Sequence, residues 1–229
     1  MNWLTPSDVT ALVLSLKLAL ISSVTLFVIG LPLCYAIFRS SGWLRHLSVA
    51  ITALPLVLPP TVLGFYLLVL LSPNYLGSIP TWFGFEARSY AFRFEALVLA
   101  SCVSSLPFFV QPVLAGMSRI NPSLIDAAAT LGHSPVSRFW RVILPESRGA
   151  IAAGLILVAA HTLGEFGVIL LIGGSIPGET KVLSIALYEH VESFDLSAAA
   201  GAALTLLLIS LSLVILISVL SGRGQLKNR

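Results

Sequence analysis

Charged residues are scarce in this sequence, and their scarcity excludes most soluble folds. Only 10% of the 229 residues are Asp, Glu, Lys or Arg, against 57% hydrophobic residues, whereas soluble globular domains usually carry about 25% charged residues. The mean hydropathy of +0.97 is correspondingly high. The composition therefore predicts an integral membrane protein.

Several chemical signatures are also missing. No G-x-x-x-x-G-K-[ST] phosphate loop occurs, so the chain is not expected to hydrolyse ATP itself. The two cysteines, Cys34 and Cys102, lack metal-ligand spacing and are expected to be small apolar packing residues. The net charge of +3 is small and reports membrane topology rather than nucleic-acid binding. We therefore expect no catalytic residue, metal, cofactor or nucleic-acid partner.

Five apolar runs are long enough to cross a membrane. A hydrocarbon core of about 30 Å needs about 20 helical residues, and the runs cover about 11–38, 52–71, 95–116, 150–173 and 197–220. They predict an all-α polytopic bundle of about five transmembrane helices in a single transmembrane domain, residues 1–229. The first run is longer than the membrane requires and is expected to tilt or to extend beyond it.

The basic residues predict the orientation of the bundle. One set of alternate loops is rich in them and contains Arg39, Arg45, Arg119, Arg138, Arg141, Arg148, Arg223, Lys227 and Arg229. The other set contains only Arg88, Arg93 and Lys181. Because loops rich in Lys and Arg remain in the cytoplasm, the N-terminus is predicted outside and the C-terminus inside.

The first span carries one intramembrane cation. Thr5 and Asp8 are placed to cap the start of its helix, and Lys17 follows about two turns inside. We interpret Lys17 as a lysine whose ammonium snorkels to the outer interface. A role in a transport pathway is the alternative.

A polar stretch from Ile125 to Pro145 interrupts the apolar sequence. Asn121-Pro122 and Ser134-Pro135 each supply an N-cap followed by a proline at the first helical position, and Gly132 is suited to end the first of two short helices. Apolar residues recur at helical spacing, which predicts one apolar face on each helix: Leu124, Ala128 and Leu131 on the first, and Val136, Phe139, Trp140 and Ile143 on the second. Such a loop is expected to have a partner.

This pattern resembles the E-A-A loop of permease subunits in binding-protein-dependent ABC importers. The matching residues are Asp126-Ala127-Ala128, Gly132 and Val142-Ile143-Leu144-Pro145, with Asp in place of the usual Glu and Val in place of the usual Ile. The resemblance implies a type I ABC importer permease whose loop, about 117–149, couples to a separate ATPase subunit. The residues implied in coupling are Asp126, Ala127, Ala128, Leu131, Gly132, Phe139, Leu144 and Pro145. The alternative is an ordinary helical loop that packs on its own bundle.

Two further segments are candidates for the transport pathway. Pro59, Pro60 and Thr61 lie near the start of the second span, where the prolines remove backbone hydrogen-bond donors. Irregular backbone in a membrane is tolerated only where protein or water covers it, so this stretch is a candidate for lining the pathway. A simple kink at the interface is the alternative. In the fourth span, His161 precedes Glu165 by one turn, which suggests either a buried His–Glu hydrogen bond that fixes packing or a gating contact.

The same segments resemble permeases for tetrahedral oxyanions. L-P-L-V-L-P-P at 54–60, G-E-F-G at 164–167 and I-P-G-E-T at 176–180 occur in the order found in molybdate permeases. Tungstate and sulfate permeases are the alternatives. The resemblance implies a homodimer in a bacterial inner membrane, with two ATPase subunits and a periplasmic molybdate-binding protein docked on loops 72–94 and 174–196. Trp82, Phe83 and Tyr90 suit either an interfacial aromatic belt or that docking.

Proteins of two other classes fit less well. A secondary transporter driven by an ion gradient is expected to contain inverted repeats and paired intramembrane carboxylates, whereas the chain shows no internal repeat and only Glu165 deep in a span. An intramembrane enzyme needs convergent chemistry, and H-T-L-G-E at 161–165 is not the H-E-x-x-H metal motif.

Overall fold

A computed structural model describes residues 4–83, 86–87 and 89–226, without the side chains of residues 80–83 and 220–226. Arg88, Lys227 and Arg229 therefore lie outside the described residues, as do the side chains of Trp82, Phe83 and Arg223. The described helices are α1 (Pro6–Arg39), α2 (Gly42–Val57), α3 (Pro60–Leu70), α4 (Phe94–Ser118), α5 (Pro122–Thr130), α6 (Pro135–Arg138), α7 (Leu144–Gly164), α8 (Gly167–Gly173), α9 (Leu183–Glu192) and α10 (Leu196–Leu226). A 3-10 segment covers Leu76–Phe83, and a π-helical turn covers Phe139–Ile143.

Three of the five predicted spans are continuous helices. Runs 11–38, 95–116 and 197–220 correspond to α1, α4 and α10, which are all long and apolar enough to cross a membrane. The start of α1 is capped as predicted: Thr5 and Asp8 form a reciprocal capping box, with Pro6 at the first turn. The all-α fold with about five spans is confirmed.

The predicted span over 52–71 is divided between two helices, and the division falls at the prolines that were expected to disturb it. The chain turns by 109° between α2 and α3. The cause is local: Leu58 and Pro59 each precede a proline, a position that disfavours helical backbone, and both have ψ of 136°. Together α2 and α3 form a broken span or a re-entrant segment.

The predicted run 150–173 is also divided. Its helix begins earlier, since residues Pro135–Gly164 form one 30-residue helical span that includes the π-helical turn. That helix ends at Glu165, whose ψ of 133° is extended, and α8 starts two residues later. The fourth span therefore ends in a break followed by a short separate helix.

Close helix contacts build the centre of the bundle. Phe109 of α4 is fully buried between Gly30 of α1 and Gly154 of α7. A Cβ added at Gly30 would lie 2.7 Å from the Phe109 ring, and one added at Gly154 would lie 3.3 Å from it. At Gly116 of α4, a Cβ would lie 2.3 Å from the Cβ of Ala150. Small residues let membrane helices approach in this way, so α1, α4 and α7 form a tightly packed core.

Apolar surface surrounds this core. Long stretches of α1 and α10 expose large aliphatic side chains, including Leu20 and Leu211, as expected of helices that face lipid.

Cys34 and Cys102 are free and buried, so they pack in the interior as predicted.

Candidate functional site

The connection between α4 and α7 is built from locally satisfied helix ends. Asn121 Oδ1 accepts a hydrogen bond from the backbone N–H of Ser123 at 3.0 Å, which caps α5. Ser134 Oγ accepts one from the N–H of Ser137 at 3.2 Å, which caps α6. Both predicted N-caps are confirmed, so two short helices with defined ends occupy this connection.

Gly132 makes the turn between these helices. Its φ is +80°, in the left-handed region that favours glycine. The N–H of Gly132 donates to Ala129 O at 2.9 Å and the N–H of His133 donates to Ala128 O at 3.0 Å, the paired bonds of a Schellman helix end. The direction in which the chain leaves α5 therefore depends on a backbone conformation that other residues rarely adopt.

A π-helical turn joins α6 to α7. The N–H of Leu144 donates to Phe139 O, five residues earlier, and Pro145 follows immediately. Proline has no N–H, and its ring clashes with the carbonyl four residues before it, here that of Arg141. The wider turn accommodates this proline without ending the helix. The second half of the loop and α7 therefore form one continuous helical segment.

The apolar residues of this connection are divided between two sides. Ala128, Phe139 and Ile143 are buried, and the Phe139 ring packs 4.6 Å from that of Tyr35, whose hydroxyl donates to Pro135 O at 3.1 Å. Four others are exposed, and we call them the exposed loop residues: Leu124 at 49%, Leu131 at 78%, Val136 at 65% and Trp140 at 59%. The apolar residues predicted to share one face on each helix therefore include both buried and exposed side chains.

The residues predicted to couple are distributed in the same way. Asp126, Ala127, Leu131, Gly132 and Pro145 are exposed, Leu144 is half-buried, and Ala128 and Phe139 are buried. The buried pair fixes the loop on its own bundle, as the alternative interpretation expected. The exposed members are not covered by the described residues, and a partner for them stays a prediction.

A second group of polar residues surrounds the break between α7 and α8. Ser104 Oγ of α4 donates to Glu165 Oε2 at 2.6 Å, and Ser184 Oγ of α9 donates to the backbone oxygen of Glu165 at 2.7 Å. Only 8% of Glu165 is exposed. A buried carboxylate is costly unless it is hydrogen-bonded, so these contacts fix the break between three helices.

His161 does not pair with Glu165. Its Nδ1 shares a hydrogen bond of 3.0 Å with Ser105 Oγ, and its ring stacks on Phe108 at 4.2 Å. The predicted direct His–Glu contact is wrong, because each side chain bonds a different serine of α4: Glu165 binds Ser104 and His161 binds Ser105. The serines that bind them were missed; the S-C-V-S-S run at 101–105 in an apolar span was the signal available.

The two helix breaks meet. A Cβ at Gly167 would lie 2.9 Å from Pro60 Cβ, and one at Gly64 would lie 3.3 Å from the Cα of Val168. Thus α3 packs directly on α8, and the predicted Pro59–Thr61 segment lies near the Glu165 break. Pro59, Pro60 and Thr61 are exposed.

Opposing charges organise the segment that follows α8. The N–H groups of Thr180 and Lys181 donate to Ile176 O at 2.9 and 3.0 Å, and Gly178 has a φ of +77°, which confirms the predicted turn. Lys181 and Ser175 both donate to the Glu189 carboxylate. Burial raises the pKa of Glu189, but the hydrogen bonds from Lys181 and Ser175 outweigh it and hold that pKa below its ordinary value.

Comparison with protein families identifies the chain. Residues 27–223 match the family described as binding-protein-dependent transport system inner membrane component. The chain belongs to this family. It is therefore the permease subunit of an ABC importer and a multi-pass inner-membrane protein.

Curated relatives of this permease carry two substrate names. It is 40% identical over 193 residues to the molybdenum transport system permease protein ModB of Azotobacter vinelandii, covering 84% of each chain. It is 32% identical to the sulfate transport system permease protein CysT of Escherichia coli, covering 95% of this chain and 78% of the relative. A sulfate permease of Synechocystis, CysW, is 31% identical over 93% of this chain and 77% of its own length.

Solved structures share the fold of the permease. A bacterial ABC transporter that imports the acidic polysaccharide alginate matches with a TM-score of 0.75 at 21% identity, covering 96% of this chain and 80% of that chain. The inward-facing MetNI methionine ABC transporter matches with a TM-score of 0.65 at 20% identity, covering 95% and 93%. The architecture is that of a type I ABC importer permease.

Proposed function

We propose that this permease imports molybdate as the homodimeric membrane part of an ATP-driven transporter in a bacterial inner membrane. The whole chain acts as one transmembrane domain, with its N-terminus outside and its C-terminus in the cytoplasm. Two copies of a separate ABC ATPase hydrolyse ATP, and a periplasmic molybdate-binding protein delivers the anion to loops 72–94 and 174–196. The chain itself performs no catalysis.

The exposed loop residues carry this proposal. Leu124, Leu131, Val136 and Trp140 are 49–78% exposed on a loop whose helix ends and turn are fixed by hydrogen bonds. Exposed apolar surface on a rigid polar loop is typical of a protein interface. The loop continues into α7 as one helical span, so a movement imposed by the ATPase is transmitted along α7 to the break at Glu165.

The pathway is proposed to lie between two copies of the chain, near the meeting helix breaks. A dianion in hydrocarbon faces a solvation penalty of tens of kcal/mol, so it requires a hydrated path lined by protein. About five spans are too few to enclose and gate such a path alone, and a two-fold dimer places equivalent segments around one axis. Pro59, Pro60, Thr61, His161 and Glu165 are the proposed gate residues, with the Glu165 break as the hinge.

We propose molybdate as the substrate because two kinds of similarity favour it. Identity to the molybdenum permease of Azotobacter vinelandii is 40%, compared with 31% and 32% to the two sulfate permeases. The motifs at 54–60 and 176–180 resemble those of molybdate permeases, whereas G-E-F-G at 164–167 resembles permeases for molybdate, tungstate and sulfate alike. Tungstate, sulfate or thiosulfate is the alternative cargo, and an ion-gradient transporter is a weaker alternative mechanism.

The deciding experiment is uptake of labelled molybdate into cells that lack their own importer. The permease is expressed with its ATPase and binding protein, and excess sulfate or tungstate is added as competitor. Uptake that resists sulfate and disappears with an ATPase-dead partner would support molybdate import. Uptake abolished by sulfate would transfer the function to sulfate, and uptake that survives the dead ATPase but collapses with an ionophore would indicate a secondary transporter.

A further inference from the structure

Lys17 has no role in the proposed transport mechanism. It is exposed in the middle of an aliphatic face of α1 formed by Val13, Leu20 and Val24, since residues three or four apart share a helix face. Its Nζ lies 4.5 Å from the centre of the Phe94 ring. In the described part of the chain, no carboxylate forms an ion pair with it.

The length of α1 gives the depth of this ammonium in the bilayer. The helix has 34 residues and is therefore about 51 Å long at about 1.5 Å per residue. A hydrocarbon core of about 30 Å takes about 20 of them. Counted back from Arg39, where the apolar run ends, the other boundary of the core falls close to Lys17. The ammonium thus lies at the level of lipid headgroups.

A groove lies beside Lys17 at this level. It has a volume of about 360 Å³ and is lined by Val9, Thr10, Val13, Leu14, Lys17 and Gly178. Gly178 belongs to the turn that follows α8. The groove is therefore apolar along α1 and offers one cation, on a surface that continues into exposed aliphatic side chains on the membrane side.

We propose that Lys17 binds the phosphate of an anionic phospholipid in the leaflet at which α1 begins. The ammonium neutralises the headgroup, the Phe94 ring holds the lysine side chain by a cation–π contact, and an acyl chain lies along Leu20 and Val24. An anionic lipid is favoured over a zwitterionic one because the latter carries a cation of its own. The bound lipid bridges α1, the start of α4 and the turn at Gly178.

Native mass spectrometry of the purified permease tests this site without reference to the transported substrate. Dioleoyl phosphatidylglycerol is titrated into the wild type and the variants Lys17→Gln and Lys17→Arg. The first bound lipid is expected to bind about fivefold more weakly to Lys17→Gln, the factor typical of one lysine at an anionic surface. Lys17→Arg restores the affinity. Arg119→Gln, which removes an exposed charge at the other end of α4, leaves it unchanged.

Three outcomes would overturn the proposal. Equal affinity of the wild type and Lys17→Gln would remove Lys17 from lipid binding. Displacement of the lipid by millimolar molybdate would indicate a site for soluble oxyanions. Loss of the dimer in Lys17→Gln, with the dimer retained in Lys17→Arg, would mean that a second copy of the chain covers this face.

Discussion

The carboxylate of Glu165 accepts a hydrogen bond from Ser104 Oγ at 2.6 Å. In Ser104→Ala this buried carboxylate loses that donor, and we expect the protein to be destabilised by about 1 kcal/mol. The midpoint of thermal unfolding in detergent measures the effect. Ser101→Ala is the matched control, because Ser101 Oγ is buried without a partner among the described residues and its removal should not lower the midpoint. Equal shifts in the two variants would contradict the assigned role of Ser104.

Gly132 offers a second test at the level of one residue. Its φ of +80° is outside the range of β-branched residues, although a side chain there would meet no atom within 4 Å. We expect Gly132→Val to redirect the chain after α5 and to reduce ATP-driven uptake at least tenfold, the effect of about 1.4 kcal/mol. The ratio of anion imported to ATP hydrolysed is the measurement.

Gly149→Val is the control for that substitution. Gly149 lies in α7, has no left-handed φ and also faces open space, so its replacement changes the same side chain without backbone strain. It should retain coupled uptake. Normal uptake by Gly132→Val would reject the idea that the geometry of this turn matters for coupling.

These two sites differ in how far the sequence could predict them. The caps at Asn121 and Ser134 and the turn at Gly132 depend on bonds that reach only a few residues, so local patterns identified them. The partners of Glu165 lie 61 residues away at Ser104 and 19 residues away at Ser184. No spacing rule connects such positions, and only the packing of α4 and α9 against α7 brings them together.

The π-helical turn of Phe139–Ile143 sets the register between the loop and α7. In Pro145→Ala an N–H is restored at this position, so an ordinary α-helical turn can replace the wide one. An α-helical turn contains one residue fewer than a π-helical turn. The conversion would therefore rotate the segment before the turn by about 100° relative to α7. Trp140 and Val136 would then face a different direction, and we expect uptake to fall while the isolated permease remains folded.

Pro122→Ala controls for the general loss of a proline. Pro122 occupies the first turn of α5, where the missing N–H would have no helical partner, so this variant should transport normally. A distance measured between spin labels on α5 and α7 distinguishes the variants directly. An unchanged distance in Pro145→Ala would contradict the register argument.

Prolines mark one of the two helix breaks in the sequence and not the other. Pro59 and Pro60 predicted irregular backbone, and the chain turns by 109° at this point, between α2 and α3. The break at Glu165 has no proline to mark it. Ser104 and Ser184 hold Glu165 from other helices, and such long-range contacts leave no local pattern in the sequence.

The dimeric pathway predicts different surroundings for residues that look equally exposed in one chain. Thr61 and Leu211 are both exposed, yet Thr61 adjoins the meeting helix breaks and Leu211 lies on the outer aliphatic face of α10. In the assembled transporter, Thr61 should face water in the gate region and Leu211 should face lipid. The only two native cysteines, Cys34 and Cys102, are buried, so single introduced cysteines can report this difference.

We expect Thr61→Cys to react with a charged, membrane-impermeant methanethiosulfonate in the complete transporter, and Leu211→Cys to remain unreactive. The cysteine thiolate attacks the sulfur of the reagent and displaces sulfinate, and the thiolate forms readily in water and poorly in hydrocarbon, so the rate ratio measures hydration rather than exposure. ATP binding should change the rate at Thr61, because alternating access opens this region to one side at a time. Equal labelling of both positions, or labelling of Leu211→Cys alone, would place the hydrated route on another face of the bundle and reject the helix breaks as its gate.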